Sequence, residues 1–283
     1  MVEPVEYLAV GHVTRDILPD ASYVVGGTVS YAALTAAAFR RSVGVLTSAG
    51  PDFDLSAFHG RAHVACSRSA RTTTFRNCYV NGSRHQIVYG VADSLSAALV
   101  PSEWAAPSIV HIGPVIGECE PDLINSFPAT TFIGITPQGW MRSTNGDGSV
   151  HRHRWHLAEA ALPRASAVIF SIDDIEGDWA LARAFAAQAK LLVVTTGRNG
   201  GTLFVDNQAV TFPALEVPEV DPTGAGDIFA AVFFHAMLSK ADPREAVRFA
   251  ACIASRSVTR VGLQGVPGEE DIVVCRNSVG VSY

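Results

Sequence analysis

The sequence predicts an α/β fold in which helices cover both faces of a mainly parallel sheet. From Ile109 onwards, short apolar runs alternate with longer helix-compatible stretches, which is typical of parallel strands joined by helices. In the first third of the chain, Asn81-Gly82 separates two β-rich runs and indicates an antiparallel hairpin. No internal repeat, charge block or linker divides the 283 residues. We therefore expect a single domain over residues 1–283.

The N-terminal elements follow from apolar runs and from the glycines between them. After the Gly26-Gly27 pair, alanines and other apolar residues at helical spacing predict a buried helix. Apolar runs predict a strand on each side of this helix, and the residues around Asn81-Gly82 predict the two hairpin strands. The helix is expected at residues 28–39, and the strands at 7–10, 43–47 and within 72–89.

The remainder of the chain alternates between predicted strands and predicted helices. Four apolar runs predict strands at residues 109–112, 132–135, 167–170 and 191–195. Helix-compatible stretches predict helices at residues 178–190, 226–239 and 243–258. Asp242 and Pro243 suit the N-cap and the first position of the last helix.

Composition excludes several classes of protein. Asp and Glu outnumber Lys and Arg by 27 to 21, so the net charge of -6 offers no basic field to nucleic acid or an anionic membrane. No apolar segment approaches the roughly 18 residues of a membrane span, and no basic region precedes an apolar stretch at the N-terminus. We expect an untargeted cytoplasmic protein. The five cysteines form no C-x-x-C pair and are expected to be reduced thiols, at positions 66, 78, 119, 252 and 275.

The most informative segment is Asp221-Pro222-Thr223-Gly224-Ala225-Gly226-Asp227, which passes directly into an apolar helix. The first N–H groups of a helix are unpaired and carry partial positive charge, and glycines let an anion approach them closely. The pattern therefore predicts a phosphate site. Asp227 would repel a bound phosphate unless it has a task there, and accepting the proton of an attacking hydroxyl is such a task.

The alternative for an isolated G-x-G-D is a tight turn with a helix cap. Two other phosphate-binding motifs are absent from the chain. The chain has no G-x-x-x-x-G-K-[ST], and its two lysines, Lys190 and Lys240, lie outside glycine loops, which excludes a P-loop kinase. No G-x-G-x-x-G follows the first strand, which argues against a Rossmann dinucleotide site.

The segment from Asp221 to Asp227 closely resembles the C-terminal D-[TP]-x-G-A-G-D signature of the ribokinase-like (PfkB) carbohydrate kinases. The resemblance extends in order along nearly the whole chain. It implies a ribokinase-like three-layer sandwich with a mainly parallel central sheet and a small β lid, whose strands are expected within residues 16–28 and 72–91. It also implies that Asp227 is the catalytic base and that the N–H groups of Gly224, Ala225 and Gly226 form the anion hole.

On the acceptor side, the run from Gly11 to Asp16 is similar to the family's G-x-x-x-x-D, whose carboxylate holds acceptor hydroxyls. Gly26-Gly27-Thr28-Val29-Ser30-Tyr31-Ala32 resembles G-G-x-x-x-N-x-A, with Tyr31 at the Asn position. The resemblance implies that Asp16, Gly26, Gly27 and Tyr31 bind the acceptor. The loop from Thr136 to Arg142 loosely resembles the D-x-N-x-R loop of sugar-acid kinases, so Gln138 and Arg142 are further candidates for contacts to the acceptor or a phosphate. The alternative is that Trp140 packs a surface turn and Arg142 is solvated.

On the donor side, the run from Thr195 to Gly201 resembles the T-x-G-x-x-G loop along the nucleotide phosphates. The resemblance implies nucleotide contacts from Thr195, Gly197 and Gly200, and from Ala251 and Ser255 on a helix that flanks the adenine. Ser171-Ile172-Asp173-Asp174 stands in place of N-x-x-E, which organises magnesium, so Asp174 is the metal candidate. Asp221 is assigned to a monovalent cation such as K⁺.

The histidines and the apolar residues of the predicted lid have other interpretations. The tract with His151, His153 and His156 has no carboxylate or thiol at ligand spacing and is interpreted as a solvated loop or strand. His111 is expected to be a satisfied core histidine, whereas His12 lies beside the acceptor site. In resembling kinases the lid sheet packs against a second copy, and an apolar patch for such a homodimer would consist of Phe75, Tyr79, Ile87 and Tyr89.

We expect an ATP- and Mg²⁺-dependent phosphotransferase that acts on an alcohol group of a sugar or polyol, an inositol-like polyol being one candidate. Nucleosides and ribose are the alternative acceptors. A non-catalytic regulator that binds nucleotide or polyol is the alternative from another class, motivated by the altered Asn and N-x-x-E positions.

Overall fold

A computed structural model describes residues 3–80, 83–206 and 208–281. The strands in chain order are β1 (Tyr7–Val10), β2 (Thr14–Ile17), β3 (Tyr23–Gly26), β4 (Val43–Ala49), β5 (His63–Arg68), β6 (Thr73–Val80), β7 (Ser83–Gly90), β8 (Ile109–Ile112), β9 (Phe132–Ile135), β10 (Arg142–Thr144), β11 (Val150–Arg152), β12 (Ala167–Ser171), β13 (Leu192–Thr195), β14 (Gly201–Val205) and β15 (Gln208–Phe212). The helices are α1 (Thr28–Ala38), α2 (Ala158–Ala161), α3 (Trp179–Ala186), α4 (Ala225–Leu238), α5 (Pro243–Ser257) and α6 (Glu269–Val279).

The central sheet has the strand order β15-β14-β13-β12-β9-β8-β1-β4-β5. The pairs from β13 to β5 are parallel, and β14 and β15 continue the sheet antiparallel. Side chains on β1 alternate between two cores: Tyr7 and Ala9 pack with α1, α4 and α5, whereas Leu8 and Val10 pack with α2, α3 and 3₁₀ turns. This alternation produces three layers, and the predicted ribokinase-like α/β fold is confirmed.

A second sheet of order β3-β2-β6-β7 forms the lid. Its strand β2 begins at Thr14, two residues before the predicted range. Strands β6 and β7 pair antiparallel as the hairpin prediction requires, while its turn, Asn81-Gly82, lies outside the described residues. The pair Phe75 and Val88 is buried against Val115, so this face of the lid packs on the body.

The proposed dimer patch is therefore split between two faces. Phe75 is only 4% exposed because it packs against the body, whereas Tyr89 is 53% exposed. Ile87 precedes Val88, and alternation along β7 directs it away from the face that carries Val88. The side chain of Tyr79 lies outside the description.

The prediction of five reduced thiols is wrong for one pair. Cys252 on α5 and Cys275 on α6 form a disulfide because the two helices pack together and bring buried side chains 23 residues apart into contact. Cys66 and Cys119 are free. In the described ranges no helix is long and apolar enough to cross a membrane.

Some elements differ in extent from the sequence prediction. Helix α3 ends at Ala186 rather than at residue 190, because the chain must turn before strand β13 begins at Leu192. Asp178 caps this helix by accepting a hydrogen bond from the Leu181 N–H at 2.9 Å. Asp242 likewise caps α5 through the Arg244 N–H at 2.7 Å, as predicted.

Candidate active site

The predicted acceptor and catalytic residues meet where several parallel strands end. The glycines that end β1 and β8 lie in contact, since a Cβ on Gly11 would overlap the Gly113 carbonyl. A Cβ on Gly113 would in turn overlap Thr28 and press on Thr136, which follows β9. Carboxyl ends of strands in open α/β sheets are where ligands bind. The N-termini of α1 and α4 approach this same edge.

The glycine turn places an open helix terminus at this edge. Gly224 is the N-cap of α4 with φ +78, a left-handed conformation that favours glycine. The Ala225 N–H donates to the Pro222 carbonyl at 3.2 Å and closes the turn. No acceptor among the described residues pairs with the N–H groups of Gly226 and Asp227. The open donors of the predicted anion hole therefore extend one residue further along the helix than the glycine pattern indicates.

Asp227 lies in the first turn of α4 and is partly buried. Burial raises the pKa of its carboxyl to about 6, and the nearby charges of Asp174 and Asp16 act in the same direction. A hydrogen bond with the Thr28 side chain and the charge of Arg142 lower the pKa and limit this rise. A carboxyl with a pKa near neutrality can take up a proton and release it again at physiological pH.

Asp16 is held beside the glycine pair that precedes α1. Its Oδ1 accepts a hydrogen bond from the Thr14 hydroxyl at 3.0 Å. A Cβ on Gly26 would overlap the Asp16 carboxylate, and one on Gly27, at φ +88, would overlap the His12 carbonyl. Both glycines therefore make room for neighbours that shape the site.

The loop after β9 brings Gln138 and Arg142 to the same site. Gln138 Nε2 donates to Asp174 Oδ1 at 3.4 Å, and Arg142 Nη1 donates to Gln86 Oε1 on lid strand β7 at 3.3 Å. Trp140 is buried and donates to the Cys119 carbonyl at 2.8 Å. The alternative of a surface turn with a solvated arginine is therefore not what the structure shows, since Arg142 is partly buried and acts electrostatically on Asp227.

Asp174 follows β12 and completes this group. It is 8% exposed, and its Oδ2 accepts a hydrogen bond from the Ser171 N–H at 3.0 Å within a capping box. Ser171 pairs in register with Thr195, so the Asp174 turn lies beside the end of β13. This pairing connects the acceptor residues with the predicted donor loop.

The predicted donor-side residues lie in the turn after β13, on α5 and at the start of the glycine turn. Gly197 and Gly200 have φ of +58 and +84 in the turn between β13 and β14, where a Cβ on Gly200 would overlap the Phe212 carbonyl. Ser255 on α5 accepts a hydrogen bond from the Leu215 N–H at 3.0 Å. Ala251, one turn earlier, is 5% exposed. Both oxygens of Asp221 accept backbone N–H groups, from Thr223 at 2.9 Å and from Gly262 at 2.7 Å.

Glu118 was missed by the sequence reasoning. It is 4% exposed, and its carboxylate accepts hydrogen bonds from the N–H groups of His12, Val115 and Ile116 at 2.8 to 2.9 Å. It thereby fixes the loops that follow β1 and β8, both at the edge where Asp227 lies. No motif could reveal it, because one of its partners is 106 residues away. Thr28 was also missed, since a threonine inside a glycine motif gives no separate signal.

The histidines behave as structural residues. His111 is buried between the Tyr7 hydroxyl at 2.8 Å and the Thr136 hydroxyl at 3.0 Å, and burial lowers its pKa to about 3. His12 is also buried and uses both ring nitrogens within the protein, on the Thr73 hydroxyl and the Asp93 carbonyl. His151 lies on the exposed hairpin strand β11. No group of three or more potential ligand side chains in the described ranges is arranged to hold a metal ion.

Comparisons with known proteins agree with this geometry. A model of the pfkB family carbohydrate kinases matches residues 160–269, a range that includes the glycine turn and Asp227. The predicted resemblance to the ribokinase-like (PfkB) carbohydrate kinases is confirmed by this family model over residues 160–269 and by structural neighbours of the ribokinase family.

The proteins that this chain is similar to differ in the acceptor or the donor that their names give. A cytidine kinase of Thermococcus kodakarensis is 26% identical over 81% of the chain and 87% of its own length. Ribokinase of Bacillus subtilis is 38% identical over 30% of the chain and 29% of its own length. A pyrophosphate-dependent kinase of the ribokinase family shares the fold with a TM-score of 0.78 and 23% identity, covering 94% of this chain and 99% of that one. Ribokinase of Thermotoga maritima gives a TM-score of 0.73 at 19% identity, covering 96% and 99%.

Proposed function

We propose that this kinase transfers the γ-phosphoryl group of ATP to an alcohol group of a sugar or polyol, with Asp227 as the base. The observation that carries the proposal is the position of Asp227, which lies at the open N-terminus of α4 and within electrostatic reach of Asp16 and Arg142. A carboxyl of pKa about 6 is mostly ionised at neutral pH and able to take the acceptor's proton.

In the proposed reaction, an acceptor hydroxyl oxygen forms a bond to the γ-phosphorus, and the bond from that phosphorus to the bridging oxygen of ADP breaks. The hydroxyl proton passes to Asp227. The N–H groups of Gly226 and Asp227 and the positive end of α4 stabilise charge on the transferred group. Asp16 and Gln138 orient the acceptor, and Arg142 offsets the negative charge around Asp227.

Asp174 is the one carboxylate that we assign to magnesium. Asp174 is a partnered carboxylate whose two oxygens each accept one hydrogen bond and retain further lone pairs. Mg²⁺ is commonly held by one or two carboxylates with phosphates and waters, not by an all-protein cage, which agrees with the missing ligand cluster in the described ranges. Bound there with the phosphates, it would supply charge neutralisation. Asp221, with each oxygen accepting one N–H, has lone pairs left for a monovalent cation.

A nucleotide donor is supported by apolar side chains around the donor loops. Leu215, Val220 and Val261 are 47%, 61% and 54% exposed. The Leu215 N–H donates to the Ser255 hydroxyl on α5, and the Val220 N–H donates to the carbonyl of Val258, the residue after α5. These two bonds hold the segment 215–220 against the helix. Exposed apolar walls beside a helix suit the flat face of a purine. Thr195, Gly197, Gly200, Ala251 and Ser255 would line the phosphates and base.

Two alternatives have a specific observation in their favour. The cytidine kinase matches over most of both chains, which favours a nucleoside acceptor. The pyrophosphate-dependent kinase shares the whole fold, which makes pyrophosphate the second candidate donor.

The test is product formation with an acceptor panel. Inositols, ribose, fructose, sugar acids and nucleosides are offered with MgATP or with magnesium pyrophosphate, and phosphorylated product is followed by ³¹P NMR. The expected result is turnover of one acceptor class with MgATP, reduced at least 10³-fold in Asp227→Asn if loss of the base costs more than loss of one oxyanion donor. Turnover with pyrophosphate alone would replace the donor assignment.

The matched control is Asp173→Asn, because Asp173 is an exposed carboxylate near the site that is assigned no task. Asp227→Asn removes a charge that burial disfavours, so its melting temperature at pH 8 should equal or exceed that of the wild type. Full activity in Asp227→Asn would overturn the base assignment. ATP-induced stabilisation without product from any acceptor would favour a binding protein.

A further inference from the structure

Tyr31 of α1 packs directly against the start of α4. It is 1% exposed, and the three atoms nearest to a Cβ built on Gly224 all belong to its aromatic ring. The ring therefore occupies the space that any side chain at the N-cap would need. This contact fixes the ring beside the helix terminus that presents the open N–H groups.

The hydroxyl of Tyr31 is buried and has no hydrogen-bond partner among the described residues. Tyr7 provides a comparison within the same core, because its buried hydroxyl is paired with His111 at 2.8 Å. Leaving a buried polar group unpaired costs the free energy of its lost hydration, so such a group calls for an explanation.

Three carboxylates act on this hydroxyl. Burial raises the pKa of Tyr31 well above its ordinary value, and the charges of Asp227, Asp16 and Asp221 add to the rise. Asp16 belongs to the acceptor side, whereas Asp227 and Asp221 are the two ends of the glycine segment. The hydroxyl thus stays protonated, and towards a bound anion it can act only as a hydrogen-bond donor.

We propose that the Tyr31 hydroxyl donates a hydrogen bond to an oxygen of the phosphoryl group bound at the N-terminus of α4. This inference deepens the proposed function, since it names a further residue for the same phosphate. A phosphoryl oxygen is the favoured partner because the ring lies on the N-cap of α4 and the surrounding carboxylates require neutral or positive donors around any bound anion. Tyr31 keeps its proton throughout the transfer.

The test compares Tyr31→Phe, which keeps the ring and removes only the hydroxyl, with wild type. Binding of inorganic phosphate and tripolyphosphate is measured by calorimetry and by thermal shift. Tyr31→Phe should be as stable as wild type or more so without ligand, and should bind tripolyphosphate roughly 10- to 100-fold more weakly, as expected for a hydrogen bond to a charged group. With turnover, kcat should fall while the acceptor KM stays unchanged.

The matched control is Tyr7→Phe, because it removes a buried hydroxyl that has a protein partner. It should lower the melting temperature and leave phosphate affinity unchanged.

Unchanged phosphate affinity in Tyr31→Phe, or a change confined to the acceptor KM, would overturn the proposal, as would a wild type that binds neither anion. Failure of the proposed function appears differently, as a wild type that binds phosphates but phosphorylates no acceptor.

Discussion

The two sides of the proposed active site present different kinds of chemical group. On the donor side, from β13 to α5, the structure presents mainly backbone: left-handed glycines at 197, 200 and 224 and the open N–H groups of α4. On the acceptor side, the groups are side chains from distant segments, including Asp16, Arg142 and Gln86. The family model matches residues 160–269, which contain the donor side and none of the N-terminal acceptor residues.

With the proposed function, this difference would let the acceptor vary between relatives while the phosphate site stays the same. A backbone site depends on φ values and close packing, so few residue types are tolerated there. A side-chain site changes whenever one contributing loop changes. Substitutions on the two sides should therefore alter different kinetic constants.

Among the changes that test the division into two sides, the largest effect is expected for Gly224→Ala. A Cβ there would overlap the ring of Tyr31, and the φ of +78 adds roughly 1–2 kcal/mol of backbone strain. We expect activity to fall by at least about 10²-fold, as for loss of one oxyanion donor. Gly280→Ala is the control, because Gly280 has the same φ of +78 with no atom near its Cβ. Equal activity losses in the two variants would contradict the steric explanation.

Next in size is reduction of the disulfide between Cys252 and Cys275. Closing a loop of this length, with a sequence separation of 23, is worth about 3 kcal/mol in the chain-entropy model. Dithiothreitol should lower the melting temperature by several degrees, and it should do nothing to Cys252→Ser/Cys275→Ser. Since α5 carries Ala251 and Ser255, the donor KM should rise and the acceptor KM should not. A melting temperature indifferent to dithiothreitol would mean that the bond does not form.

Glu118→Gln should act on the acceptor side. Replacing one carboxylate oxygen by an amide leaves at least one of the three backbone N–H groups unpaired, at a cost of about 1–3 kcal/mol. The loops after β1 and β8 should loosen, so the acceptor KM is expected to rise roughly tenfold, about the effect of 1.4 kcal/mol. The control is the exposed neighbour, Glu120→Gln. A change in the donor KM alone would contradict the division of the site into a donor side and an acceptor side.

The smallest expected effect concerns pH. Below pH about 6, Asp227 becomes protonated and cannot accept a proton, so kcat/KM for the acceptor should fall on the acid side. Thr28→Val removes the hydrogen bond that lowers this pKa, so the acid limb should move to higher pH. Thr35→Val is the control, since Thr35 is a buried threonine of the same helix whose hydroxyl has no hydrogen-bond partner within the described part of the chain. A shift to lower pH in Thr28→Val would refute the assignment.

Local sequence patterns predict the structure correctly where short-range interactions determine it. Strands β8, β9, β12 and β13 and the start of α5 at Asp242 follow from short-range signals, and so does the glycine turn, because its proposed function resides in the backbone. Local patterns do not reveal contacts between residues that are far apart along the chain. Glu118 and His12 are 106 residues apart, and the disulfide depends on how α5 packs against α6. Phe75 and Tyr89 of the predicted dimer patch lie on different faces, because alternate residues of a hairpin point in opposite directions, and the homodimer itself stays a prediction.

The hairpin of β10 and β11 has a consequence for the lid. Its turn pairs with the outer strand β7, through a bridge between Ile87 and Ser149 and a hydrogen bond from the Val88 N–H to the Gly148 carbonyl at 2.9 Å. An uncovered edge strand is a template on which another chain can add a strand and begin to aggregate. The hairpin pairs with part of that edge and begins with Arg142, so the element that supplies a charge to the candidate active site also limits strand addition to the lid.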